Sequence, residues 1–520
     1  MSSLDPATGR GPQAPDPQAP DPTRWWGLVV IALAQLMVVL DATIVNIALP
    51  SAQADLGMSD ANRQWVITAY TLAFGGLLLL GGRIADLVGR KRTFVIGLVG
   101  FAIASALGGA ASGPGMLFAA RALQGVFAAV LAPSALSLLT TMFTDPKERG
   151  KAFGIYGAIA GGGSAIGLIA GGLLTEYLDW RWCLYVNVPI AAIGVIGAFM
   201  FLHDRESHHA ARLDVPGVLL GCGGLVAIVY GFSEAQPRGW SDGRVLGLLL
   251  GGLALLVAFV WWQTKASKPL LPLHIIKERN RAGCFLAMGF ATIGLFGVFL
   301  FMTYYLQTIL GYSPVKTGMA FLPMTAAIIV GATQIAARLM HHVAPRLLLV
   351  PGMLLATTGL LMLTRLTAQA EYASHVLPAM LVLGLGMGLT FMPVMATATQ
   401  GVAPHDSGVT SATVNTSQQV GGSIGTALLN TIATSTSATY ITSHLADAAR
   451  ESGQQPTEQL RRLITAEGVV HGYTVAIWWA AGIMFLGALI AAFMVTARAP
   501  RHDALAQEHA EAGEGTEVVP

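Results

Sequence analysis

Leu40-Asp41-Ala42-Thr43-Ile44-Val45-Asn46-Ile47-Ala48-Leu49-Pro50 is the stretch on which the fold turns. It closes an apolar run that opens at Trp25. That run is roughly 25 residues, enough helix to cross a bilayer with some tilt. At about 1.5 Å per residue, Asp41 stands roughly 24 Å beyond Trp25, within hydrocarbon and toward the far side. An ionised carboxylate at that depth costs several kcal/mol unless it is paired or faces water, so it marks a functional site. A static ion pair or a protonated packing residue is the competing reading. Trp25 and Trp26 anchor the start of the run as an interfacial belt. The run is too long for a signal-peptide core, so Ala52-Gln53-Ala54 is not read as a cleavage site and the span is retained.

The rest of the 520-residue chain repeats this pattern. Hydrophobic residues make up 54% and charged residues 11%, less than half the usual share of a soluble domain. Fourteen apolar runs fall at about 25–50, 63–82, 93–111, 115–139, 152–174, 182–202, 215–233, 245–263, 283–307, 318–338, 347–366, 376–399, 408–437 and 473–496. None alternates as a barrel strand does, so the expected class is an all-α polytopic membrane protein with 14 transmembrane helices. Residues 1–23, with repeated Ala-Pro-Asp-Pro, and 498–520 read as disordered tails. With both tails on one side, that side holds 20 of the 30 Lys and Arg residues and the other holds 9, leaving Arg121 within a span. The bias places both termini in the cytoplasm of a multi-pass cell-membrane protein. The polar, mixed-charge segment 438–471 then becomes an extracytoplasmic loop with room for short surface helices, and no role is assigned to it. The cysteines Cys183, Cys222 and Cys284 lie in or beside apolar runs and read as packing residues; no metal or cofactor site is expected.

The chain also echoes itself. Gly163-Ser164-Ala165-Ile166-Gly167 matches Gly421-Gly422-Ser423-Ile424-Gly425, and Asp145-Pro146 through Gly150 resembles Ala403-Pro404 through Gly408, both at an offset of 258. Two pseudo-repeat bundles of six helices, at 24–203 and 265–497, with two linker helices inserted at 204–264, account for the arithmetic. Parallel repeats with a substrate site between the halves are a transporter signature.

Gly82-Arg83-Ile84-Ala85-Asp86-Leu87-Val88-Gly89-Arg90-Lys91-Arg92 lies in the turn between spans 2 and 3. It resembles the loop signature of the major facilitator superfamily. Arg121-Ala122-Leu123-Gln124-Gly125 resembles that superfamily's R-x-x-Q-G pattern, and Arg121 falls at about the depth of Asp41. Gly163, Gly167, Gly171 and Gly172 resemble the antiporter signature G-x-x-x-G-P-x-x-G-G, with Leu168 where that signature has proline. Trp180-Arg181-Trp182…Asn187-Val188-Pro189 and the Leu40–Pro50 stretch resemble marks of the 14-span drug:proton antiporter family.

This resemblance implies proton-driven efflux of hydrophobic drugs or antibiotics by alternating access. Asp41 would carry the proton, with Arg121 and Gln124 tuning it. Gly82, Asp86, Gly89, Arg90 and Arg92 would form a cytoplasmic latch against the helix opening near Gly408. The four glycines of span 5 would set close helix packing. Asn46, Tyr304, Tyr305, Gln307, Phe391 and Gln418 are weaker candidates for the substrate cavity, since such residues in membrane helices are usually packing. The partners expected are hydrophobic small molecules, protons and the lipid bilayer, with no nucleic acid, and the protein is expected to be a monomer. No nucleotide-binding loop or catalytic cluster appears, so a secondary transporter rather than an enzyme or primary pump is expected. A symporter or uniporter of the same fold, importing a small metabolite, is the alternative.

Overall fold

Every described segment of length is helical because apolar backbone in a bilayer must satisfy its own N–H and C=O groups. A computed structural model describes residues 23–497 apart from 144, 203–213, 268, 341, 403–406 and 453–454. The first group of helices is α1 (Arg24–Leu56), α2 (Trp65–Val88), α3 (Arg90–Gly109), α4 (Pro114–Met142), α5 (Pro146–Tyr177), α6 (Trp182–Tyr185) and α7 (Asn187–Phe201). Next come α8 (Val215–Arg238) and α9 (Gly243–Gln263), which pair as a hairpin. The second group is α10 (Leu273–Lys277), α11 (Arg279–Tyr304), α12 (Pro314–Val330), α13 (Ala337–Leu339), α14 (Arg346–Leu363), α15 (Leu377–Thr399), α16 (Ser407–Ser452) and α17 (Glu458–Met494).

Twelve spans among the described residues are long and apolar enough to cross a membrane. The other two long helices are α5, with 32 residues, and α16, with 46. Both have ample length, and Ser and Thr dilute the apolar content of α16. Each packs inside the bundle, α5 on α1 and α12, α16 on α2, α11 and α17.

The structure departs from the expected runs in three ways. The sixth run is broken at Val186, giving α6 and α7. Single π-helical turns at Tyr305–Ile309, Gly331–Ala336 and Tyr372–Val376 extend three spans of the second group. The expected loop over 438–471 is largely helix: α16 runs on to Ser452 and α17 begins at Glu458. The reason is local and tertiary. Thr434, Thr439 and Thr442 return their hydroxyls to carbonyls four residues back. Gly468 and Gly472 let α17 lie against Tyr440, Ile441 and the Ala433 carbonyl.

The face at which α1 begins and α17 ends is termed terminal here, and the opposite face distal. Polar contacts between the two groups gather toward the distal side. Gln307 Nε2 donates to the Ile47 carbonyl at 2.9 Å, and Val315 N donates to Glu176 at 2.9 Å. Thr68 and Thr426 share a hydrogen bond of 2.8 Å, and Thr71 and Ser423 one of 2.7 Å. The α8–α9 hairpin leans on this seam: Gln64 and Trp65 donate to Ser233, and Thr431 donates to the Phe232 carbonyl.

Candidate functional site

Asp41 is buried on α1, and its carboxylate meets donors from two other helices. Arg121 Nη1 on α4 donates to Oδ2 at 2.7 Å. Gln124 Nε2, one turn further along α4, donates to Oδ1 at 3.0 Å. Asn187 Nδ2, the first residue of α7, donates to the same oxygen at 2.8 Å. Arg121 Nη1 also reaches Gln124 Oε1 at 2.7 Å, and Arg121 Nε donates to the Val66 carbonyl at 2.9 Å. Ser105 Oγ on α3 accepts from Gln124 at 2.6 Å and from Asn187 at 3.3 Å. The guanidinium lies 4.4 Å from the centre of the Tyr70 ring on α2. A buried ion pair of this kind needs each remaining lone pair and proton satisfied, since desolvation otherwise outweighs the attraction.

The backbone puts these groups together through small residues. A side chain at Gly125 would run into the Tyr70 carbonyl oxygen, so only glycine brings α4 close enough for Arg121 to reach Val66. On the other side of α1, Gly163 packs on Leu36 and Val39, Gly167 on Thr43 and the Leu40 carbonyl, and Gly171 on Ile44. These three glycines therefore line α5 along both flanks of Asp41. Gly172 faces outward from that row onto Pro314 and Val315 of α12, in the second group. Leu168 is buried and presents its carbonyl to Gly318 of α12.

Asp41, Arg121 and Gln124, singled out in the sequence, meet in the structure. Ser105, Tyr70 and Asn187 were not anticipated. The first two carry no local signal, because they reach the site only through helix packing. Asn187 had one, the stretch from Trp180 to Pro189.

A second cluster bridges the two groups at the distal face. Arg63, between α1 and α2, is buried with its guanidinium 3.8 Å from the centre of the Tyr304 ring. It donates to Asp60 at 3.1 Å and to Tyr473 Oη on α17 at 3.2 Å. Tyr304 Oη in turn donates to Gln53 Oε1, and Asn430 donates to the Asp60 carbonyl at 3.0 Å. Tyr304 and Gln307, candidates for the cavity, thus stand in the distal contact between the groups. Tyr305 is buried and donates to the Thr367 carbonyl. Asn46 is buried beside the Ala42 carbonyl, while Phe391 and Gln418 are partly buried.

At the terminal face, Gly89 has φ +100°, a conformation that favours glycine, and it separates α2 from α3 within one residue. Gly82 lies beside Pro133 of α4. Arg90 is partly buried and Arg92 is exposed, while Arg83 donates to the Pro269 carbonyl at 3.1 Å. The side chain of Asp86, and the segment before Gly408 that it was expected to meet, lie outside the described residues. Cys183, Cys222 and Cys284 are free thiols, and no group of three metal ligands occurs among the described residues.

The family model for the Major Facilitator Superfamily matches residues 31–426, a stretch that contains the whole Asp41 cluster. The chain belongs to the major facilitator superfamily. It is 57% identical over 503 residues to the puromycin resistance protein pur8 of Streptomyces alboniger, spanning 96% of each chain. It is 39% identical over 427 residues to the cephamycin export protein CmcT of Amycolatopsis lactamdurans, covering 81% of this chain and 88% of that one. Among solved structures, a bacterial homologue of the human lysosomal transporter Spinster, in an inward-facing and occupied conformation, matches with a TM-score of 0.64. It covers 91% of this chain and 98% of its own at 16% identity, a likeness of fold alone. The chain is thus a multi-pass membrane transporter of the superfamily rather than an enzyme.

Proposed function

We propose that this protein exports antibiotic-type hydrophobic small molecules across the cell membrane in exchange for protons. The observation that carries the efflux reading is the end-to-end similarity to the puromycin resistance protein, supported by the second relative named for cephamycin export. Proton coupling rests on the geometry at Asp41. The acid is withdrawn from bulk water and held between a permanent cation and two amides on two other helices, so a movement of those helices changes the contacts on which its charge depends. Arg121 cannot give up its own proton, so the titrating member of the pair is Asp41.

In this scheme residues 24–203 and 265–497 are two bundles that rock against each other, with α8 and α9 as inserted linkers. Both termini lie in the cytoplasm, and the Arg63 cluster shuts the far side in the state described. Gly163, Gly167 and Gly171 couple α5 to the helix that carries Asp41, and Gly172 couples α5 to α12. The turn from Gly82 to Arg92 acts as the cytoplasmic latch, and the protein works as a monomer.

The test uses a puromycin-sensitive bacterial host. Expression should raise the inhibitory concentration of puromycin, and washed cells should hold less of the drug than controls. An uncoupler should erase the difference in accumulation. Equal accumulation with and without the protein overturns the efflux reading, and efflux that persists after collapse of the proton gradient overturns the coupling.

A further inference from the structure

We infer that Asn187 is a positioning residue that follows the protonation state of Asp41 by turning its side-chain amide over. This rests on the reading of Asp41 as the proton carrier. All three groups that touch the carboxylate donate to it: Arg121 Nη1, Gln124 Nε2 and Asn187 Nδ2. Such a shell suits the ionised acid. A protonated Asp41 carries an O–H that needs an acceptor, and a buried donor left without one is costly.

The three donors differ in what they can offer. Arg121 has no acceptor atom at all. Gln124 has one, but its Oε1 already accepts from Arg121 at 2.7 Å, and turning that amide would set an N–H against the guanidinium. Asn187 Oδ1 is buried and has no hydrogen-bond partner among the described residues. It is therefore the one spare acceptor on the three groups that surround the carboxylate. An amide turned by half a rotation keeps its shape while exchanging donor and acceptor. After that turn, Oδ1 stands where Nδ2 stood, 2.8 Å from Asp41 Oδ1 and 3.3 Å from Ser105 Oγ. It then accepts from the Asp41 O–H and from the Ser105 O–H, whose oxygen continues to accept from Gln124 Nε2 at 2.6 Å, while Nδ2 moves to the unpartnered position of Oδ1, a cost that the new contact with the Asp41 O–H offsets only when Asp41 is protonated.

The other titratable groups facing Asp41 are Arg121 on α4, Tyr70 on α2 and Cys183 on α6. None of them offers the same exchange. Arg121 only donates, the Tyr70 hydroxyl makes no hydrogen bond to the carboxylate among the described residues, and the Cys183 thiol is engaged with Thr175 and the Gly171 carbonyl. Asn187 is also well placed to sense helix movement. It opens α7 directly after the break at Val186, so a small shift of α6 against α7 moves its amide relative to α1.

The experiment is infrared difference spectroscopy of the purified full-length protein in lipid, titrated with acid. The carboxylic-acid C=O band that Asp41→Asn removes is the reporter. In Asn187→Leu the acid loses an acceptor, so the band should move to higher wavenumber. The ionised form loses a charge-assisted bond, the stronger of the two, so the midpoint of the band's appearance should rise by about one pH unit. Asn187→Asp keeps the side-chain shape, which covers the case in which the leucine variant fails to fold. It should give two coupled acid bands where the wild type gives one. An Asp41 band that keeps its position and midpoint in Asn187→Leu, or a single unshifted band in Asn187→Asp, overturns the role of Asn187 and leaves Asp41 as the carrier. A wild type with no band removed by Asp41→Asn overturns both.

Discussion

Arg121 and Asp41 show how much a single buried pair can demand of its surroundings. At 2.7 Å and with both side chains withdrawn from water, the pair is held by mutual charge and by its amide neighbours. Breaking such a pair from one side leaves an uncompensated charge, a loss of about 3–5 kcal/mol. Arg121→Leu alone should therefore lower thermal stability sharply. The double variant Arg121→Leu with Asp41→Asn should recover most of the loss, because no charge is then stranded. The melting temperatures of the two singles and the double form a cycle that measures the coupling. A double variant as unstable as the sum of the singles would mean that the pair is not coupled in the folded protein. Legibility in the sequence follows the same division at this scale. Asp41 announces itself by depth in an apolar run, and Arg121 with Gln124 by a spacing of three along one helix. Ser105 and Tyr70 are ordinary residues of apolar helices until α3 and α2 pack against α4.

Among the elements, the hydropathy pattern located the helices well because most of them face lipid or one another. It failed where hydrogen bonding inside the helix replaced hydropathy. The polar continuation of α16 is the clearest case, since Thr and Ser side chains satisfied by backbone carbonyls need no water. The break between α6 and α7 was equally hidden, as both pieces are apolar. The α8–α9 hairpin shows a different stabilising device. Asp214 caps α8, accepting from Gly217 N at 3.0 Å, and receives Trp262 Nε1 at 2.7 Å and Gln263 Nε2 at 2.8 Å from α9. Burial alone would push this carboxyl up, but these hydrogen bonds prevail and hold it below the ordinary carboxylate range. A group depressed in the folded state stabilises fully above its ordinary value, near pH 4, and that contribution fades as pH falls through the folded value. The wild type should accordingly lose thermal stability on acidification below about pH 4 by a component that Asp214→Asn lacks. Parallel melting curves across that range check this, and identical acid profiles would contradict it.

For the whole molecule, the distal seam ties the two groups of helices together. Arg63 holds Tyr304 and Tyr473 of the second group from a position in the first, and Asn430 grips the backbone of Asp60. Removing the guanidinium should weaken that tie without touching the Asp41 cluster. With spin labels on the distal ends of α2 and α16, Arg63→Ala should shift the distance distribution toward longer separations at neutral pH. An unchanged distribution would mean that the α2–α16 and α5–α12 contacts suffice by themselves. The distal seam and the Asp41 cluster share α1, whose Ile47 carbonyl and Gln53 Oε1 accept hydrogen bonds at the seam, so under the proposed function a proton taken up at Asp41 bears on the same helix. The most direct test of this link is drug-evoked proton release from the purified protein in weakly buffered solution. Puromycin added to the wild type should release protons, and puromycin added to Asp41→Asn should release none while still binding. Equal release from both proteins would contradict the assignment of the coupled proton to Asp41.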